Sequence, residues 1–139
     1  MHYIVYFSTA TQLYSEETFK DILRVSRQNN TRDGITGMLL YYEGSIIQLL
    51  EGEKETVEST FRRLAKDARH HSIQTVLRGE IKERNFPQWS MGYRSLTPQE
   101  AARMLGYINP KSISEQAYYQ NADNVPLIML KSFHDVSRW

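Results

Sequence analysis

The sequence predicts one α+β domain of order βαββαββ, a mixed sheet with two helices on one face and further C-terminal helices on or near the other. Three observations predict it. The apolar period alternates between 2 and 3.6 along the chain, and the changes of period fall at turn signals such as Asp33-Gly34 and Glu43-Gly44. The segment Ser45 to Glu51 is apolar on both faces of a strand, with Ile46, Gln48 and Leu50 on one side and Ile47 and Leu49 on the other, so the sheet needs two covers.

His2 to Ser8 alternates and is rich in β-branched and aromatic residues, a first strand with Ile4, Tyr6 and Ser8 on one face. Ser15-Glu16-Glu17 opens a helix in which Phe19, Ile22, Leu23 and Ser26 recur at helical spacing, and its end is expected near Asn29-Asn30. Thr36 to Tyr42 and Ser45 to Glu51 form a hairpin around Glu43-Gly44. Lys54 to Ala68 carries Val57, Phe61, Leu64 and Ala68 on one stripe, a second helix. Gln74 to Glu80 and Trp89 to Arg94 are two more strands, joined by a polar loop containing Pro87. The first six elements have the ferredoxin-like order.

Residues 97–139 are expected to form a helical extension of the domain at 1–96, serving as a cover and an oligomer or partner interface. Thr97-Pro98-Gln99-Glu100 is a capping box opening a short helix to Leu105. Pro110 to Tyr119 is a weaker helix, and Val125 to Val136 a terminal one.

Composition excludes several chemistries. The 139 residues contain no cysteine, which removes disulfides, thiolate nucleophiles and photochemistry that ends in a cysteinyl adduct. A net charge of +1 with mixed signs gives no field directed at nucleic acid or an anionic membrane. None of the four histidines has ligand spacing, and His70 and His71 on a helix would diverge, so no metal site is expected. Neither a membrane span nor a signal peptide is evident, and the expected location is the cytoplasm.

Gln48 is the anomaly. An unpartnered buried amide costs about 1–3 kcal/mol, so a strand this apolar should keep one only for an unusual partner. Tyr6 on the neighbouring strand can reach it. Asn29-Asn30 adds amides at the end of the first helix, and Arg62, Arg63, Lys66, Asp67, Arg69 and His70 add charge around the end of the second. Ile22 and Leu64 offer flat aliphatic walls between them. A planar heteroaromatic ligand with an anionic tail would satisfy all of these.

Tyr6-Phe7-Ser8, Asn29-Asn30 followed by Asp33-Gly34-Ile35-Thr36-Gly37, the Gln48 run ending in Leu50-Glu51-Gly52, and Phe86-Pro87-Gln88-Trp89-Ser90-Met91-Gly92 resemble the BLUF domains, blue-light sensors that use FAD. The resemblance covers roughly the first two-thirds of the chain. It implies that Tyr6 is the redox-active tyrosine and that Gln48 is the glutamine whose hydrogen bonds rearrange. Asn30, with Asn29 beside it, would hold the pyrimidine edge of the flavin. Ile22 and Leu64 would sandwich the ring, with Arg63, Asp67 and His70 near the ribityl-phosphate end. Trp89 and Met91 would carry the signal from the fifth strand, where two residues of separation puts them on one face to compete for one pocket. Tyr3 stands where the family often has arginine, and Leu64 where isoleucine is common. FAD and FMN present the same ring and first phosphate, so the resemblance leaves both open.

No cyclase, phosphodiesterase or kinase sequence follows the sensor, so a photosensor and not an enzyme is expected, with output through a signalling partner or a change of homo-oligomer, and the mixed charge argues against direct contact with nucleic acid or membrane. Two other classes use such sheets. An RNA-binding module would show an aromatic-basic strand signature, and an acylphosphatase-type anion site would need an Arg-bearing loop where Ser8-Thr9-Ala10-Thr11-Gln12 stands.

Overall fold

In the computed structural model, which describes residues 1–99, the first alternating run extends to Ala10 as β1 (His2–Ala10) and lies inside the sheet. Ser15 caps α1 (Glu16–Asp33), its hydroxyl accepting the Thr18 N–H at 3.2 Å. The helix runs past the expected stop at Asn29-Asn30. It ends where Gly34 adopts φ 70°, a left-handed cap whose N–H bonds the Asn30 carbonyl. The stop signal is therefore the glycine, and Asn30 is an interior helical residue.

Strands β2 (Thr36–Tyr42) and β3 (Ser45–Gly52) pair antiparallel around Glu43 and Gly44, both with positive φ, the backbone a tight two-residue hairpin requires. Helix α2 (Lys54–Ala65) is shorter than the expected run to Ala68. The Asp67 carboxylate accepts the Arg69 N–H at 2.9 Å, and His70 bonds the Leu64 carbonyl, which together turn the chain into β4. Strand β4 (His70–Glu80) begins four residues before the expected Gln74, so His70 and His71 lie on a strand and not on a helix. Register shifts between Val5/Tyr6 and Phe7/Thr9 accommodate this polar start as bulges. Strand β5 (Gly92–Ser95) is short and pairs parallel with β2.

The sheet order is β4-β1-β3-β2-β5. Its two faces carry separate clusters. Ile4, Tyr6, Leu39, Leu50, Met91 and Tyr93 join Phe19, Leu23 and Val57 on the helix side. Tyr3, Val5, Met38, Leu40, Ile47, Leu49, Phe86 and Leu96 form the far side, with Trp89 packed against them. Both faces of β3 are apolar as the sequence requires, and burying this much aliphatic surface at roughly 25 cal/mol per Å² is what fixes the strand at the centre of the sheet.

Pro98 and Gln99 are helical, where the capping box begins. The remainder of that helix and those expected at 110–119 and 125–136 lie outside the described residues.

Candidate functional site

The β1–β3 register sets Tyr6 directly opposite Gln48 on the helix side of the sheet. The Tyr6 hydroxyl donates a hydrogen bond to Gln48 Oε1, and Gln48 Nε2 points at the Met91 sulfur, 3.6 Å away. The amide is thus satisfied unequally, because a phenol is a good donor and a thioether a weak acceptor. Burial pushes the Tyr6 phenol well above its ordinary value, and the nearby Asp67 charge pushes it further in the same direction. Tyr6 therefore keeps its proton.

Two adjoining cavities, of about 60 and 210 Å³, open beside this pair between α1 and α2. Ser26, Gln48, Leu64, Asp67 and Arg69 line both. Tyr6, Ile22 and His70 are among the other residues of the first, and Asn29, Asn30 and Arg63 among those of the second. Every cofactor-site residue named from the sequence is in one wall or the other. Ile22 on α1 and Leu64 on α2 supply the aliphatic sides. Phe61 holds the Tyr6 ring edge-on, with centroids 5.1 Å apart.

Asn30 is buried, and its Nδ2 donates to the Ser90 carbonyl at 2.6 Å, which leaves its oxygen as the end suited to a ligand donor. His70 bridges Ser8 Oγ, 2.8 Å from Nδ1, to the Leu64 carbonyl at Nε2. A carbonyl only accepts, so Nε2 carries a proton, and the ring ties β4 to β1 and to the end of α2 instead of standing free for a phosphate. Asp67 accepts from Arg69 Nε at 2.9 and 3.0 Å, which holds its carboxyl below the usual range. Arg63 lies at the rim, half-exposed, 4.0 Å from Asp33.

Trp89 and Met91 depart from expectation. Both precede β5, and they pack against opposite faces of the sheet, Met91 beside Gln48 and Trp89 stacked on Phe86. The rule that residues two apart share a face holds for extended strand. Here the Trp89 N–H bonds the Phe86 carbonyl at 3.2 Å in a turn, so the rule fails. Met91, 1% exposed, is the one that faces the site.

Among the wall residues, the sequence did not single out Tyr14, Ser26 and Thr60, and it placed Arg69 only as one charge of a cluster; it also missed Glu51. Glu51, fully buried, accepts the N–H groups of Asn85 and Phe86 at 2.8 and 2.9 Å and so suspends the loop leading to Trp89. Desolvation raises its carboxyl despite these bonds. An acidic residue at the end of an apolar strand was the available signal.

A larger cavity, about 490 Å³, lies beside Phe7, Leu40, Tyr42, Ile47 and Leu96 and is lined by none of the site residues named from the sequence. Among the described residues there is no cluster suited to a metal ion, and no helix long and apolar enough to cross a membrane.

The family model described as "BLUF: Sensors of blue-light using FAD" matches residues 1–92. The chain is 34% identical over 89 residues to the photoactivated adenylate cyclase subunit beta of Euglena gracilis, covering 63% of this chain and 10% of that protein. It is 27% identical to the blue light- and temperature-regulated antirepressor BluF of Escherichia coli K12, covering 69% of this chain and 24% of that one. It thus spans about a tenth of the cyclase subunit's length. Among solved structures, BlrB, a BLUF protein in its dark state, superposes with TM-score 0.71 at 30% identity, covering 87% of this chain and 92% of that one. The BlsA photo-activated state superposes with TM-score 0.72 at 28% identity, covering 91% and 94%.

Proposed function

Because this chain belongs to the BLUF family of blue-light sensors, we propose that Tyr6 and Gln48 form its photochemical pair and that the slot between α1 and α2 holds the flavin. The unequal bonding of Gln48 carries this reading. Its oxygen is held by a phenol, whereas its nitrogen has only a thioether, so a carbonyl placed in the adjoining cavity would be the better acceptor. The donor set suits the group: aliphatic walls at Ile22 and Leu64, an amide oxygen at Asn30, and Arg63 and Arg69 toward an anionic tail.

When bound, the flavin supplies blue-light absorption and an acceptor for one electron. Tyr6 would give that electron, and its proton lies along the bond to Gln48 Oε1, so the phenol can pass the proton onto the amide oxygen as the electron leaves. The neighbouring Asp67 charge favours removal of the electron. Gln48 can present either end of its amide, and a change of end alters what Met91 must bond. The signal then passes from Met91 and Trp89 along β5.

We place Asn29, Asp67 and His70 around the same group, His70 by fixing α2 against β1. FAD is the reading the family description favours, with FMN as the finer alternative. Residues 97–139 are proposed to cover the groove beside Leu96, and to pass the output to a protein partner or between copies in a homo-oligomer. No enzymatic step is assigned to these residues, and a soluble cytoplasmic location follows from the same reading.

The test is spectroscopic. Purified protein should be yellow, and its absorption should shift to the red by several nanometres under blue light and return in the dark. A flavin-loaded protein without that shift would refute the photochemical pair. Mass analysis of the released flavin distinguishes FAD from FMN.

A further inference from the structure

We infer that Arg27 is a positioning residue for the photocycle, holding the Met91 thioether beside the Gln48 amide and thereby setting how fast the light-adapted state decays. The inference rests on the photoreceptor reading above. It concerns a residue that lines neither cavity of the site.

The stretch that separates Trp89 from Met91 crosses from one face of the sheet to the other before β5 begins, and its first ladder pair is Met38 with Gly92. The carbonyls of residues 89, 90 and 91 must therefore find donors elsewhere, and each has a different one. The Gly37 N–H takes Trp89 at 3.0 Å, Asn30 Nδ2 takes Ser90 at 2.6 Å, and Arg27 Nε takes Met91 at 2.8 Å. Gly37 is fixed in β2, where any side chain would strike the Leu49 carbonyl. Asn30 is buried in the wall of the site. Arg27, one turn earlier on the same face of α1, is the remaining anchor, a long ionised side chain at partial burial.

Its bond is charge-assisted, and so among the stronger of the neutral and ionic bonds in this segment. It acts on the residue whose sulfur is the protein partner of Gln48 Nε2. Holding the Met91 backbone favours the arrangement seen here. Once the Gln48 amide has changed its bonds and Met91 has withdrawn, the same bond draws Met91 back. Loss of Arg27 therefore slows the return without altering the chromophore's own surroundings.

The experiment compares the full chain with Arg27→Met, which keeps the aliphatic stem without a donor, and Arg27→Lys, which keeps charge and donor. Flavin content, the size of the light-induced red shift and the dark-recovery rate are measured for each. The expected result is unchanged flavin content and shift in both, recovery slowed about threefold or more in Arg27→Met, and recovery within about twofold of the parent in Arg27→Lys. Recovery in Arg27→Met that matches or exceeds the parent rate would overturn the assignment, as would a lysine variant as slow as the methionine one or loss of flavin from either. A parent protein with no red shift would instead overturn the photoreceptor reading, and this one with it.

Discussion

Removing either member of the Tyr6–Gln48 pair should cost far more than removing both. Tyr6→Phe leaves a buried amide oxygen without its donor, and Gln48→Leu leaves a buried phenol without its acceptor; both side chains are less than a tenth exposed. Each single change should destabilise the flavin-free protein by about 1–3 kcal/mol, the usual cost of an orphaned buried polar group. The double variant replaces the pair by two apolar groups in an apolar cluster, so its stability should fall within about 1 kcal/mol of the parent. The cycle thus predicts a coupling energy of about 1 kcal/mol or more, measured by urea denaturation of all four proteins without flavin. All three variants should still bind flavin, and none should show the red shift. Additive destabilisation, with a coupling below about 0.5 kcal/mol, would mean that the bond does not stabilise the pair, and a full red shift in any variant would refute the photochemical assignment.

Four other changes probe the surroundings. Glu51→Ala orphans the N–H groups of Asn85 and Phe86 and should destabilise the protein by about 2–4 kcal/mol in a denaturation series. In Gly92→Ala the added Cβ would stand 2.5 Å from the Trp89 ring, so a cost of about 1–3 kcal/mol and an altered dark-recovery rate are expected. The Asp67 carboxyl is lowered in the folded state, so its contribution is present above its unfolded value of about 4 and lost as pH falls through the lower folded value; Asp67→Asn should flatten that acid limb of the stability curve. Trp89→Phe keeps the stack on Phe86 but removes the indole donor, and should leave the dark spectrum unchanged while shortening or lengthening the light-adapted state, as flash photolysis would read.

The order of elements was legible because each has a strong period and a turn residue at its end. Gln48 was legible because nothing else explains an amide between Ile47 and Leu49. Helix boundaries were less so. At α1 the asparagines looked like a stop, but the left-handed cap belongs to Gly34, and Asn30 is an inward-facing helical side chain. Ser26 was hidden because a small polar residue resembles solvated helix surface until the opposite wall is known, and Arg69 stood out only as one charge of a cluster. Trp89 and Met91 were misplaced for a different reason. Period 2 is a property of extended backbone, and the turn closed by the Trp89 N–H sends two side chains with strand spacing to opposite faces. A long-range contact decides that turn: Glu51, some thirty residues earlier, holds its start.

The two residues that the turn separates are also chemically unlike. A thioether accepts a hydrogen bond but has no hydrogen to give, whereas an indole N–H gives one and accepts none. Met91 therefore suits a Gln48 that presents its Nε2, the arrangement in this structure, and it cannot satisfy a Gln48 that presents its oxygen. An amide whose ends have exchanged leaves an oxygen facing sulfur. On the proposed photocycle, the penalty for that buried, unbonded acceptor, about 1–3 kcal/mol, would work against Met91's place beside the amide and favour a donor there. Trp89 sits two residues away, on a backbone anchored at three successive carbonyls. On the same proposed photocycle, the bonds on that backbone would convert a change in one amide into a movement of β5, because a freely hinged segment would absorb it.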